Sequence, residues 1–123
     1  MIDGSQIALI GEIGVEEKAR LLGGAYALLA PIAWEEPFGL NVVEAMACGT
    51  PVLGFSRGSF PELIDDGKNG FLSKTVEEMS AQIPSVSSID RAFCRKSIEE
   101  RFTKTQMTHG YIEVYKKILG KTK

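Results

Sequence analysis

Residues 31–51 read PIAWEEPFGLNVVEAMACGTP, from Pro31 to Pro51. The stretch starts where an apolar run ends, crosses an acidic and aromatic loop, and enters a segment with helical spacing. Val43, Met46 and Ala47 carry that spacing, and Gly49 closes it as a C-terminal cap. Gly39 lies at the turn into the helix, where a glycine lets backbone approach a ligand closely. The N–H groups of Gly39, Leu40 and Asn41 have no intrahelical acceptor and sit at the positive end of the helix dipole. Such a terminus suits phosphate. Glu36 stands just before the helix and Glu44 about one turn inside it. A carboxylate there can accept two hydroxyl donors at once, as a ribose or hexose diol would offer. A purely structural reading stands beside this one. Glu36 equally favours a helix N-terminus electrostatically, and Glu44 equally suits a solvent-facing helix position. Spacing alone does not separate the two.

Outward from this stretch, strand-like and helix-like pieces alternate. Residues 6–10 (QIALI), 26–31 (YALLAP), 51–55 (PVLGF) and 70–73 (GFLS) read as short buried strands. Residues 15–22, 40–48, 59–66, a segment opened by Thr75 and stopping near Pro84, 89–102, and a last one opened by Thr103 read as helices. Ser59 with Glu62, and Thr75 with Glu78, have capping-box spacing. Residues 84–88 read as a polar connection. The last helix carries Met107, Tyr111, Val114, Tyr115 and Ile118 on one stripe and ends at Gly120. Strands alternating with helices predict an α/β class with a parallel Rossmann-like sheet of about four strands and crossover helices. Ligands of such sheets bind beyond the carboxyl ends of the strands. That selects the loops 11–14, 32–39 and 56–59.

Composition narrows the function classes. The chain has 123 residues, 14 basic and 16 acidic side chains, and a formal net charge of −2. There is no basic stripe of the kind a nucleic-acid binder needs. Lys116, Lys117, Lys121 and Lys123 read as a solvated helix terminus. Cys48 and Cys94 belong to no Cys-x-x-Cys or Cys/His cluster, so buried thiols in a reducing compartment are expected, without a disulfide or metal site. The longest apolar run, residues 23–34, is too short to span a bilayer and contains Pro31. No signal peptide is read, and a cytoplasmic location is expected. His109, the one histidine, reads as a surface or rim residue. Trp34 reads as a packing residue, with bordering a nucleotide as the alternative.

EEPFGLNVVEAMACGTPVLGF closely resembles the signature of the retaining glycosyltransferases that include sucrose synthases, bacterial glycogen synthases and lipopolysaccharide sugar transferases. Glu36 and Glu44 have that family's spacing of a Glu, seven residues and a second Glu. Phe38-Gly39-Leu40, Glu44-Ala45-Met46-Ala47 and Gly49-Thr50-Pro51-Val52 are written as the family writes them. The resemblance continues through Arg57-Gly58-Ser59, Pro61-Glu62, Asp66-Gly67, Asn69-Gly70 and the closing Tyr111 and Tyr115 helix. It implies the donor-binding C-terminal domain of the two-domain GT-B fold, in part, over residues 1–123. It implies that Glu44 contacts the ribose of a nucleotide diphosphate sugar and that Glu36, the candidate catalytic residue, contacts the transferred sugar, as nucleophile or as orienter. Phe38, Gly39, Leu40 and Asn41 complete the implied donor site, the amides of the last three holding the diphosphate. No metal or other cofactor is implied, because helix N–H donors take its place.

The same resemblance implies absences. The acceptor-binding N-terminal domain and two strand–helix units of the C-terminal domain are not in these residues, and an Arg/Lys pair that grips the diphosphate goes with them. Neither Arg20 nor Arg57 is at an equivalent place. The expectations are therefore a donor-binding part, inactive alone, or else a non-catalytic binding or interaction module derived from such an enzyme. A second copy of the chain, or a separate N-terminal half, is the expected partner. The first strand is expected either to lack its neighbours or to close directly on residues 26–30.

Overall fold

A computed structural model describes residues 4–120. Helix α1 (Val15–Gly24) leads into strand β1 (Leu28–Ala30), helix α2 (Leu40–Ala47) and strand β2 (Val52–Phe55). The short helix α3 (Phe60–Leu63) and strand β3 (Gly70–Ser73) follow, then helices α4 (Val76–Gln82), α5 (Arg91–Arg101) and α6 (Lys104–Ile118). The strands form one parallel sheet in the order β1-β2-β3, with Leu28 opposite Val52 and Val52 opposite Gly70. The α/β class and the parallel sheet are as expected, but there are three strands among the described residues and not four.

The missing strand is residues 6–10. This segment is bent or irregular and joins no sheet. Leu9 is 80% exposed. An apolar run becomes a strand only when a neighbour takes its backbone groups and covers its side chains. Residues 6–10 do not close on residues 26–30, so the outer edge of β1 carries no strand among the described residues.

The sheet is covered on both faces. On one, Ala30 and Val52 pack with Val42, Ala45 and Met46 of α2, Phe60, Leu63 and Ile64 of the α3 region, and Cys94 and Ile98 of α5. On the other, Leu53 packs with Met79 of α4 and Val86. Val86 lies in a 3-10 segment, Ile83–Ser88, where a polar connection was expected. Its apolar side chain closes the core at the sheet's second face, and this packing orders the segment.

Of the three expected caps, two form. Thr75 does cap α4, its hydroxyl accepting from the Glu78 amide at 3.2 Å, and Thr103 caps α6 through the Gln106 amide. Ser59 does not cap α3; its hydroxyl instead donates to the Phe38 carbonyl at 2.7 Å. The Ser59 backbone is helical there, with φ of −78° and ψ of −12°, and not extended as a side-chain N-cap requires. The stripe on α6 is not buried: no residue of that helix is, and Tyr111, Val114, Tyr115 and Ile118 all lie at the surface. Of the two thiols, Cys94 is buried, which raises its pKa to about 11, and Cys48 is half-buried.

Candidate functional site

The loop after β1 and the loop after β2 meet at the carboxyl ends of their strands. Gly39 makes the turn into α2 with φ of 87°, a left-handed conformation that favours glycine. It is also crowded: a Cβ there would lie 3.0 Å from the Phe60 ring and 3.2 Å from Leu63. The left-handed turn favours glycine, and a side chain there would also have to displace Phe60 and Leu63.

Glu36 lies against this terminus. Its Oε1 accepts from the Gly39 amide at 3.1 Å and its Oε2 from the Trp34 indole at 2.9 Å. The Trp34 bond, ahead of the Gly39 and Phe38 amides, holds its carboxyl below the ordinary value of 4.5, with partial burial working the other way. One amide of the expected phosphate site is thus taken by the chain's own carboxylate. Among the described residues no acceptor is bonded to the Leu40 or Asn41 N–H. The Asn41 side chain accepts from the Val42 amide at 3.0 Å. Phe38 stacks edge-on against Phe102, 6.1 Å between centroids, and Leu40 lies at the surface. Phe38, Leu40, Val43, Phe102 and Met107 line an open, mostly apolar cavity of about 480 Å³ between α2 and the start of α6. Trp34, expected to pack, is 60% exposed and serves as a donor to Glu36.

Glu44 sits on the α1 side of α2, half-buried, with its Oε1 2.7 Å from the Lys18 ammonium. Lys18 was not singled out in the sequence. It lies 26 positions from its partner, and no spacing rule reaches that far. Glu35 was also missed. Its two carboxylate oxygens take the Arg57 guanidinium at 3.1 Å and the Gly58 amide at 2.7 Å. Neighbouring identical carboxylates at 35 and 36 are told apart only by what faces them.

The loop 11–14 ends at Gly14, the N-cap of α1. With no strand before it, it is not a strand-end loop. His109 is at the surface on α6. Among the described residues no three His, Cys, Asp or Glu side chains are grouped as metal ligands, and no helix is long and apolar enough to cross a membrane.

The fold and these loops define a parallel α/β unit with Glu36 at the N-terminus of α2 and Glu44 further along that helix, on its α1 side. Residues 4–104 match the family model for glycosyl transferases group 1. The chain belongs to that family. It is 36% identical over 95 residues to an uncharacterized 41.2 kDa protein in the cps region of Klebsiella pneumoniae, covering 72% of this chain and 26% of that protein. It is 26% identical over 130 residues to the N-acetyl-alpha-D-glucosaminyl L-malate synthase of Bacillus anthracis, covering 92% of this chain and 34% of the synthase. It is 32% identical over 85 residues to a probable sucrose-phosphate synthase of Thermosipho melanesiensis, covering 67% of this chain and 20% of that protein. The chain thus spans between a fifth and about a third of the length of these curated relatives.

Proposed function

We propose that this chain is the donor-binding part of a retaining glycosyltransferase that takes its sugar from a nucleotide diphosphate sugar, in the cytoplasm. The observation that carries the reading is the α2 N-terminus, set by Gly39 and met by Glu36, with Glu44 on the same helix, in a member of the glycosyl transferases group 1 family. Glu44 accepts the ribose hydroxyls. The Leu40 and Asn41 amides, with Gly39 once Glu36 turns to the sugar, take the diphosphate. Charge developing on the leaving nucleotide meets fixed N–H dipoles, which is electrostatic catalysis without reorganisation. Glu36 faces the transferred sugar, and Phe38 and Leu40 line its approach.

Calorimetry against a panel of nucleoside diphosphates tests this. One member of the panel should bind weakly, and Glu44→Ala should weaken it by about 1–3 kcal/mol, the scale of a lost hydrogen bond to a charged group. Affinity unchanged in Glu44→Ala removes Glu44 from the site.

A further inference from the structure

We propose that Glu35 and Arg57 are positioning residues for Glu36, clamping the loop after β1 onto the loop after β2 in the shape that brings the Glu36 carboxylate to the α2 N-terminus. The role of Glu36 toward a donor sugar rests on the reading above; the clamp itself is argued from contacts in this chain.

Three consecutive residues, Arg57 to Ser59, bind four residues of the other loop. The Arg57 Nε donates to Glu35 Oε1 at 3.1 Å and its Nη1 to the Ala33 carbonyl at 2.8 Å. The Gly58 amide donates to Glu35 Oε2 at 2.7 Å. The Ser59 amide donates to the Glu36 carbonyl at 2.9 Å, and its hydroxyl to the Phe38 carbonyl at 2.7 Å. The main chain of Glu36 is therefore held on both sides. Its side-chain hydrogen bonds, to Trp34 and Gly39, lie within three residues of it in the same loop. Loop shape sets where this carboxylate lies, and the clamp sets loop shape.

An exposed ion pair by itself contributes little. This one is tied to main chain at both ends: Glu35 also accepts a backbone amide and Arg57 also donates to a backbone carbonyl. A planar guanidinium can make two such bonds at fixed angles; an ammonium on a flexible stem cannot hold both.

Nuclear magnetic resonance of the 123-residue chain, with no nucleotide present, tests the clamp. Trp34 is the only tryptophan, so its indole N–H gives one signal. Glu36→Gln marks the position of that signal when the charged acceptor is gone. In Arg57→Ala, remote in sequence from Trp34, the indole and Gly39 amide signals should move by roughly half or more of the Glu36→Gln displacement. Arg57→Lys should behave like Arg57→Ala, whereas Glu35→Gln, which keeps an oxygen for the Gly58 amide, should move them less than Glu35→Ala. Signals unmoved in Arg57→Ala, with the rest of the spectrum native, overturn the proposal. Should Arg57→Ala not fold, Arg57→Lys decides: unmoved signals there refute the clamp. Failure of the donor-site reading shows elsewhere, as nucleotide affinity unchanged in Glu44→Ala.

Discussion

Gly58 has no room for a side chain because Glu36 is in the way. A Cβ on Gly58 would lie 2.4 Å from the Glu36 carbonyl oxygen and 2.5 Å from its nitrogen. The glycine is also left-handed, with φ of 53°. The loop after β2 can pass this close to the candidate catalytic residue only with a glycine there, and the approach is what brings the Ser59 amide to the Glu36 carbonyl.

Gly58→Ala should therefore cost more than left-handed strain alone. Gly67 serves as the control: its φ is 77°, yet nothing lies within 4 Å of an added Cβ. Gly67→Ala should cost about 1 kcal/mol and Gly58→Ala about 2–4 kcal/mol, since backbone cannot give way as a side chain can. Thermal melts of both variants measure this. Equal losses would mean that the two loops separate freely.

The Glu36 carboxyl should titrate below 4.5, its ordinary value, because the Trp34 indole and the loop amides favour the charged form. Its stabilising effect is fully present above 4.5 and is lost as pH falls through the lower folded value. The Trp34 indole signal followed against pH gives the midpoint. Melting temperature should fall less steeply in this acid range for Glu36→Gln than for the parent chain. A midpoint at or above 4.5 would show that the indole and amide bonds do not persist in solution.

The isolated 123-residue chain should show no sugar transfer. Among the described residues, Lys18 is engaged by Glu44 and Arg57 by Glu35, so neither is free as it stands to grip a diphosphate. Losing one charged contact costs about 1.5–3 kcal/mol, one to two decades of affinity. Robust turnover by purified chain, with contaminants excluded, would refute this.

The chain should self-associate. The outer edge of β1 carries no strand among the described residues, and α6 presents Tyr111 and Tyr115, 6.3 Å apart, with Val114 and Ile118 on a helix that buries none of its residues. Bare strand edges and apolar helix faces both seek partners, and a second copy supplies both. Light scattering after size exclusion should give a mass that rises with concentration. A single monomeric mass across a wide range would show that these surfaces remain solvated.

The amino-acid sequence by itself determined the parallel α/β class, the helix bounded by Gly39 and Gly49, the caps at Thr75 and Thr103, and the strand at residues 70–73. The helix bounds and caps rest on contacts within a few residues, and the strands were legible from their apolar runs although their pairing, as of Val52 with Gly70, is long-range. It also pointed to Glu36, Gly39 and Glu44, whose spacing alone left functional and structural readings open and whose site roles are what the family resemblance implies. What depended on tertiary structure lies across longer separations. Residues 6–10 have strand composition, yet the described sheet, in the order β1-β2-β3, does not include them. Ser59 has capping spacing but a helical backbone, and its hydroxyl donates to the Phe38 carbonyl, 21 positions away. Glu35 and Lys18 gain their partners 22 and 26 positions off. Trp34 turns outward to a carboxylate and not inward to the core. A hydrogen bond is decided by which donor and acceptor meet in space, and only the folded loops bring these together.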